Sequence, residues 1–477
     1  MRSVKIGKNL RHSVSMVVIF FILLVVSCYF SFTRDYGVLK YLLIIGFLQD
    51  PVRKLIPGEP VYMTVMVGAI VVCALARLLI TNRAIITEPF DRWNASLYAP
   101  VQVYLILIAI QFVHSLVRYG QPIIPLLGMI FYTAPLVAIS IAYSQFDRFE
   151  RVRVLLRMYC AFGAIVGLTV VLSFMGVESA LFGEVGEGLT IYDQGTILKA
   201  YAGLMRSSEV AGWHLGASAC FLLILLTEKS NFKTVAVTAA VILLLLTAIV
   251  LTGRRKMILQ FVVFAALYFP FLRIYQRRAA SGYFISVVVG GFFAFILFLT
   301  LLPLLGGSQF ELYLMRGSSV FGDATGRFEE LGMGSLGWAI NQFGVLGGGL
   351  GVAAQGAQHF GGALAHGAAE GGLGKIVSEL GVVSLALIAW LLYAMAMHVH
   401  KCLSLISQVL PDKLPFSVGV AVFAASNAPT FIVASQVFGD MFILLVIGLM
   451  VGFLFAIPKL VKFELEKRSA QLHKSIN

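Results

Sequence analysis

Apolar runs close to bilayer length recur along this 477-residue chain and are separated by short connections. A hydrocarbon core about 30 Å thick is crossed by roughly 20 apolar residues in a helix. The expected fold class is therefore all-α, a polytopic transmembrane helical bundle. With 59% hydrophobic and 12% charged residues, and a mean hydropathy of +0.91, the chain is not a soluble domain.

Expected spans are 14–32, 61–80, 98–117, 122–143, 154–175, 211–227, 234–251, 257–272, 282–304, 376–397, 416–434 and 437–457, about twelve by a sliding-window criterion. A further apolar stretch, 36–48, is short for a crossing at about 1.5 Å per residue and reads as a half-span or re-entrant piece. The N-terminal Arg2, Lys5, Lys8 and Arg11 precede the apolar run Val17 to Val26. That order imitates a signal peptide, and Val25-Val26-Ser27-Cys28 imitates a lipoprotein cleavage box. With so many spans behind it, an uncleaved first span is the expectation. Cys28, Cys73, Cys160, Cys220 and Cys402 are dispersed, and neither CxxC nor HExxH occurs. No disulfide framework or zinc site is therefore expected, and the site residues include no metal ligand. The net charge of +13 is assigned to basic loops beside anionic lipid head groups, not to nucleic acid.

The excess of Lys and Arg in inner loops orients the spans. Lys459, Lys462, Lys467 and Arg468 put the C-terminus inside. Alternation then puts 400–415, Arg273 to Arg278, 228–233 and 144–153 inside, with 176–210 and 305–375 outside. A basic N-terminus inside requires an even number of spans. The topology of 33–60 stays open. Thr252-Gly253-Arg254-Arg255-Lys256 falls outside, against the charge rule. Cations on the disfavoured side of a membrane call for an anion. An ordinary inner-face anchor or snorkelling to lipid phosphate is the bland reading. A phosphate or diphosphate site is the sharper one, because a guanidinium stays charged and donates two parallel bonds.

The 305–375 loop concentrates polar residues: Arg316, Asp323, Arg327, Glu329, Glu330, His359, His366 and Glu370. Its glycines Gly344, Gly347, Gly348, Gly349 and Gly351 supply backbone amides of the kind that nest anions, although flexible loops use glycine too. They do not form GxxxxGK[ST], so nucleotide binding is not supported. Arg206-Ser207-Ser208-Glu209 leads into a span that carries Trp213 and His214. This segment reads as a helix cap with an acid in its first turn, with Trp213 as an interface belt residue. The functional reading puts Arg206 and His214 at the mouth of an outward cavity. Lys375 and Glu379 are spaced as an i,i+4 helical pair. A carboxylate or imidazole at the membrane mouth can serve as a general base.

In order along the chain, these pieces resemble the O-antigen ligase and O-antigen polymerase superfamily. The resemblance rests on Arg206 to His214, on Thr252 to Lys256 with Arg255 in the motif arginine position, on Gly326-Arg327 with Gly347 to Gly351, and on Glu379-Leu380-Gly381. It covers about 200–400; the N-terminal third matches only as a set of spans. The family's His-Asn pair falls where this chain has Glu370-Gly371, while His366 lies earlier in the loop. The resemblance implies a GT-C-like bundle in the bacterial inner membrane, as a single integral-membrane domain. Both termini would be cytoplasmic and 305–375 would be a periplasmic loop. It implies a glycosyltransferase of cell-envelope lipopolysaccharide or exopolysaccharide biosynthesis that needs no metal or cofactor. The donor would be a glycan on undecaprenyl diphosphate. The acceptor would be a sugar hydroxyl on lipid A–core or on a second lipid-linked glycan. His366 or Glu370 would handle the acceptor proton. Arg255 would neutralise the leaving diphosphate, supported by Arg206, Arg254, Lys256 and Arg327, with His214 and Glu379 also at the substrate. Envelope polysaccharide assembly proteins are the expected partners. The rival classes are a lipid-linked oligosaccharide flippase or other polysaccharide transporter, and a non-catalytic scaffold. Transporters show internal repeats more often, and none is visible in this sequence.

Overall fold

A computed structural model describes residues 2–34, 37–81, 84–93, 95–183, 185, 190–193, 196–226, 232–275, 310–317, 322, 326, 328–354, 357 and 370–476. The expected span 282–304 and the expected site residues Arg327 and His366 lie outside these residues, as do Asp323 and His359.

The chain is built of helices. The first seven are α1 (Arg2–Thr33), α2 (Val38–Leu55), α3 (Val67–Thr81), α4 (Ala84–Asp91), α5 (Ala95–Tyr119), α6 (Ile123–Gln145) and α7 (Phe149–Phe174). A two-stranded antiparallel hairpin follows, β1 (Thr190–Asp193) with β2 (Thr196–Lys199), registered Ile191 to Leu198. Then come α8 (Ser208–Leu226), α9 (Phe232–Leu251), α10 (Arg255–Tyr275) and α11 (310–317). The last five are α12 (Gly334–Phe343), α13 (Gly372–Leu380), α14 (Val383–Val409), α15 (Leu414–Val433) and α16 (Met441–Ile476).

Among the described residues, ten helices are long and apolar enough to cross a membrane: α1, α5 to α10, and α14 to α16. Their outward faces are oily. Ile19, Ile22 and Val25 on α1, Ile106, Ile110 and Val117 on α5, and Leu392 and Tyr393 on α14 are all exposed. Apolar faces of this extent suit lipid, not water. The architecture is that of a multi-pass membrane protein.

Three spans differ from the sequence expectation. The stretch expected at 36–48 is the longer α2, which continues through Gln49, Asp50 and Arg53, all buried. Those polar residues depress the hydropathy of a helix that is largely interior. The span expected at 61–80 is split. A 3-10 turn, Val61–Val65, precedes α3, and the side-chain oxygen of Gln49 accepts the Val67 N–H at 3.3 Å. The span expected at 376–397 is also broken. The chain leaves α13 through Gly381, at φ +80°, and α14 starts at Val383. Both Gly381 and the end of α13 dock on other segments, and a hydropathy window does not register tertiary docking.

The elements form two compact units, Met1–Arg77 with Glu150–Phe321 and Leu78–Phe149 with Gly322–Asn477. The core of the first is aromatic. Phe47 stacks on Phe162 at 4.9 Å and meets Tyr159 edge-on at 5.1 Å, with Trp213 and Phe221 fully buried beside α7 and α8. Trp213 is thus a core residue, not an interface belt residue.

In the second unit α16 packs along α6, with Phe453 edge-on to Phe146, Phe149 and Phe416. The glycine run docks on α5 and α6. The Leu350 N–H donates to the Gln111 carbonyl, and Ser115 Oγ donates to the Leu350 carbonyl at 2.8 Å. Gly351 has φ +85°, and a Cβ there would sit 2.0 Å from the Ile124 carbonyl oxygen. By contrast, a Cβ on Gly337 in α12 would meet nothing within 4 Å. Gly351→Ala is therefore expected to destabilise the protein by roughly 1–3 kcal/mol, the usual cost of overpacking. Gly337→Ala should be neutral or slightly stabilising. Thermal unfolding of the two purified variants beside the parent checks both outcomes.

Candidate functional site

The first unit brings the expected basic residues together. Ser207 Oγ accepts the Val210 N–H at 3.3 Å, so it caps α8 as its position before the helix predicts. Thr252 and Gly253 turn the chain from α9 into α10. Thr252 Oγ donates to the Ile249 carbonyl and accepts the Arg254 N–H, and Gly253 takes φ +65°. That conformation is cheap only without a side chain. The turn lies against the start of α8, where a Cβ on Gly212 would be 3.3 Å from Thr252 Oγ1 and 3.7 Å from Arg254 Cβ. The N-termini of α8 and α10, each the positive end of its helix dipole, meet here.

Charged side chains complete the arrangement. Arg254 donates from Nε to Ser208 Oγ at 3.0 Å and reaches Glu209 at 3.3 Å. Lys256 pairs with the same carboxylate at 2.8 Å. Arg255, the first residue of α10, is buried. Arg316 on α11 donates to the Gly253 carbonyl at 3.1 Å. The start of the 305–375 segment thereby reaches the turn that carries Arg254 to Lys256. Nearby, Tyr313 donates its hydroxyl to the Lys199 carbonyl. Burial, then the adjacent Tyr201, pushes that phenol up, so it remains a donor.

Two residues of α2 join the cluster that sequence reasoning did not assign to it. Asp50, buried, accepts the Arg206 backbone N–H at 3.1 Å and pairs with its guanidinium at 3.4 Å. Arg53 donates from Nε to the Glu59 carbonyl at 3.0 Å. The signal that marks Asp50 is a lone carboxylate inside an otherwise apolar run. Lys54, at the end of the same helix, donates to the carbonyls of Leu181 and Gly203.

His214 does not line a cavity mouth. It is fully buried, bonded through Nδ1 to the Tyr159 hydroxyl at 2.6 Å and ringed by Phe47 and Trp213. It packs the base of the helix whose cap adjoins Arg206.

In the second unit, Glu379 is fully buried and accepts the Ala353 N–H at 3.1 Å. The anion held by amides of the glycine-rich segment is thus the chain's own carboxylate. Burial pushes the Glu379 carboxyl up, while Lys375, Tyr132 and the amides of Ala353 and Gly351 pull it back. The ammonium of Lys375 lies 5.7 Å over the Phe131 ring. Gln111 donates to the carbonyls of Leu346 and Leu380, and Gly348 N–H donates to Ser378. The Glu-x-Gly motif therefore clasps the glycine run.

Glu370 is exposed, and its backbone carbonyl accepts both the N–H and the hydroxyl of Ser435, at 2.8 and 3.1 Å. A Cβ at Gly371 would lie 1.9 Å from the Leu331 carbonyl oxygen. This backbone has no room for an asparagine at that position. Among the described residues, no group of His, Cys, Asp and Glu could hold a metal ion. No family model matches the chain, and no curated protein matches it.

Glu379→Ala is expected to release the Ala353 amide, at a cost of about 1–3 kcal/mol for a buried donor left unmet. Hydrogen exchange should accelerate across 350–354 in that variant and much less in Glu379→Gln, which keeps an acceptor. Equal protection in all three proteins would mean that glycine contacts alone hold the segment.

Proposed function

We propose that this protein transfers a glycan from an undecaprenyl-diphosphate-linked donor to a sugar hydroxyl at the outer face of the bacterial inner membrane. It would act as a metal-independent inverting glycosyltransferase of the O-antigen ligase or polysaccharide polymerase kind. The observation that carries this reading is the gathering of cations at the α8–α10 junction. Arg53, Arg206, Arg254, Arg255, Lys256 and Arg316 stand there with the carboxylates of Asp50, Glu59 and Glu209, beside two helix N-termini. Cations and amide dipoles grouped in this way are suited to a polyanion such as a diphosphate.

In the proposed reaction the acceptor hydroxyl oxygen attacks the anomeric carbon as the bond from that carbon to the diphosphate oxygen breaks. Negative charge grows on the departing diphosphate, where Arg255 and its neighbours act most strongly. The hydroxyl proton passes to a base in the 305–375 segment. Glu370, an exposed carboxylate on a pinned backbone, fits that role, with His366 as the other candidate and Arg327 in support. His214 and Glu379 would act through the segments they hold. The reading includes a GT-C-like bundle of about twelve spans, with 282–304 and α3 added to those above and both termini inside.

Purified protein given a defined lipid-diphosphate glycan and an acceptor should form the longer product. Arg255→Ala should slow transfer by roughly 100-fold or more, as expected for losing a transition-state charge partner. Arg255→Lys should fall between the two. A folded Arg255→Ala protein that transfers at the parental rate would overturn the assignment. In cells, lipid-linked precursor should accumulate on the outer side in this variant. Precursor held on the inner side would favour a flippase instead.

A further inference from the structure

Two cysteines that are far apart in sequence meet in the first unit. Cys28 is on α1 and Cys73 on α3, and their thiols are hydrogen-bonded to each other. A thiol is a weak donor and a weak acceptor, so that bond alone contributes little. Cys28 and Cys73 are also the part-exposed cysteines, whereas Cys160, Cys220 and Cys402 are buried. Cys160 donates to the Ser218 carbonyl, and Cys402 faces His398.

Helix register brings the pair together independently of the thiols. Gly37, at φ +106°, turns the chain from α1 back into α2, and Phe30 stacks on Tyr41 at 6.0 Å. Counting from that contact at equal rise per residue, Cys28 is level with Leu43 and Phe32 with Leu39. The Gln49 oxygen that accepts the Val67 N–H sets the start of α3 against α2. Counting along α3 from there, Cys73 is level with Leu43 too, and Arg77 with Leu39. The Arg77 guanidinium donates to the Phe32 carbonyl at 3.1 Å, one helical turn beyond Cys73 and Cys28. Helices α1 and α3 therefore run parallel, with the two cysteines at the same height. At about 1.5 Å per residue, Cys28 lies within about 8 Å of the end of α1 at Thr33.

We infer that Cys28 and Cys73 are a redox-modification site, at which a reversible intrachain disulfide staples α1 to α3. The oxidant is itself a disulfide. The thiolate of one cysteine attacks it, which forms a mixed disulfide and expels one thiol. The other cysteine, losing its proton, attacks the mixed disulfide and expels the second thiol. The chain gives up two electrons and two protons, and the oxidant's disulfide becomes two thiols. The second step needs a thiol already beside the first sulfur, which the register of α1 and α3 provides. The new bond closes a loop of chain that contains all of α2, whose Asp50 holds Arg206. The site is independent of the glycan-transfer reading and stands or falls without it.

The test treats folded full-length protein in nanodiscs with oxidised glutathione, blocks the remaining thiols with N-ethylmaleimide and maps the peptides by mass spectrometry. A peptide linked through Cys28 and Cys73 should form, and dithiothreitol should reverse it. It should outnumber glutathione adducts on these cysteines by roughly tenfold, because the second thiol is held beside the first. Cys28→Ser should instead retain a glutathione adduct on Cys73, whereas Cys160→Ser should form the link as the parent does. Hydrogen exchange across α2 should slow when the parent is oxidised and stay unchanged in Cys28→Ser. Persistent glutathione adducts on the folded parent, N-ethylmaleimide on both cysteines, a link between two chains, or unchanged exchange across α2 in the linked parent would each overturn the proposal.

Discussion

Asp50 and Glu209 are the carboxylates on which the first unit depends. Each stands where apolar helices end and guanidinium or ammonium groups crowd together. A cation at the middle of a membrane helix costs about 2.5–3.5 kcal/mol on insertion scales, and one near its end costs less. An opposite charge about 4 Å away, at an effective dielectric of 20, returns about 4 kcal/mol. One carboxylate therefore offsets about one cation. Asp50 also accepts the Arg206 backbone N–H, which fixes the start of α8 as well as its charge. The junction is thus a frame in which cations, carboxylates and two helix N-termini are held together.

The second unit holds a carboxyl group of its own. Glu379 is buried, which pushes its carboxyl up, and Lys375, Tyr132 and the amides of the glycine-rich segment pull it back. The backbone amides there are occupied by a carboxyl group of the same chain. This explains why the glycines are needed without assigning them to a ligand. They allow the segment to approach α5 and α6 so closely that a Cβ at Gly351 would overlap the Ile124 carbonyl.

Much of this was legible in the sequence because it is local. The cap at Ser207, the Thr252-Gly253 turn and most of the long apolar helices follow from neighbouring residues. What was not legible is tertiary. Asp50, Gln49 and Arg53 lower the hydropathy of α2, so a mostly buried helix reads as a short, doubtful stretch. The break at Gly381 lies inside one continuous apolar run and exists because Gln111 reaches the Leu346 and Leu380 carbonyls from far along the chain. The spacing of Lys375 and Glu379 suggests their mutual attraction, which the structure retains, but not that Lys375 also lies over Phe131 or that Glu379 accepts the Ala353 N–H. Sequence spacing fixes which side chains share a helix face but not which distant backbone they meet.

Under the proposed function, the Glu370-Gly371 pair stands where the resembled family has a histidine and an asparagine. A histidine followed by an asparagine would place an amide side chain at position 371, where a Cβ alone would come within 1.9 Å of the Leu331 carbonyl oxygen. The backbone is committed to glycine there, so no side chain at 371 can orient its neighbour. Orientation comes instead from Ser435, whose N–H and hydroxyl both hold the Glu370 carbonyl. A carboxylate needs less help than an imidazole, since both of its oxygens accept protons and it has no tautomer to select. If Glu370 takes the acceptor proton as proposed, glutamate at 370 and glycine at 371 are a consistent pair: an orienting amide matters least when the group beside it is a carboxylate.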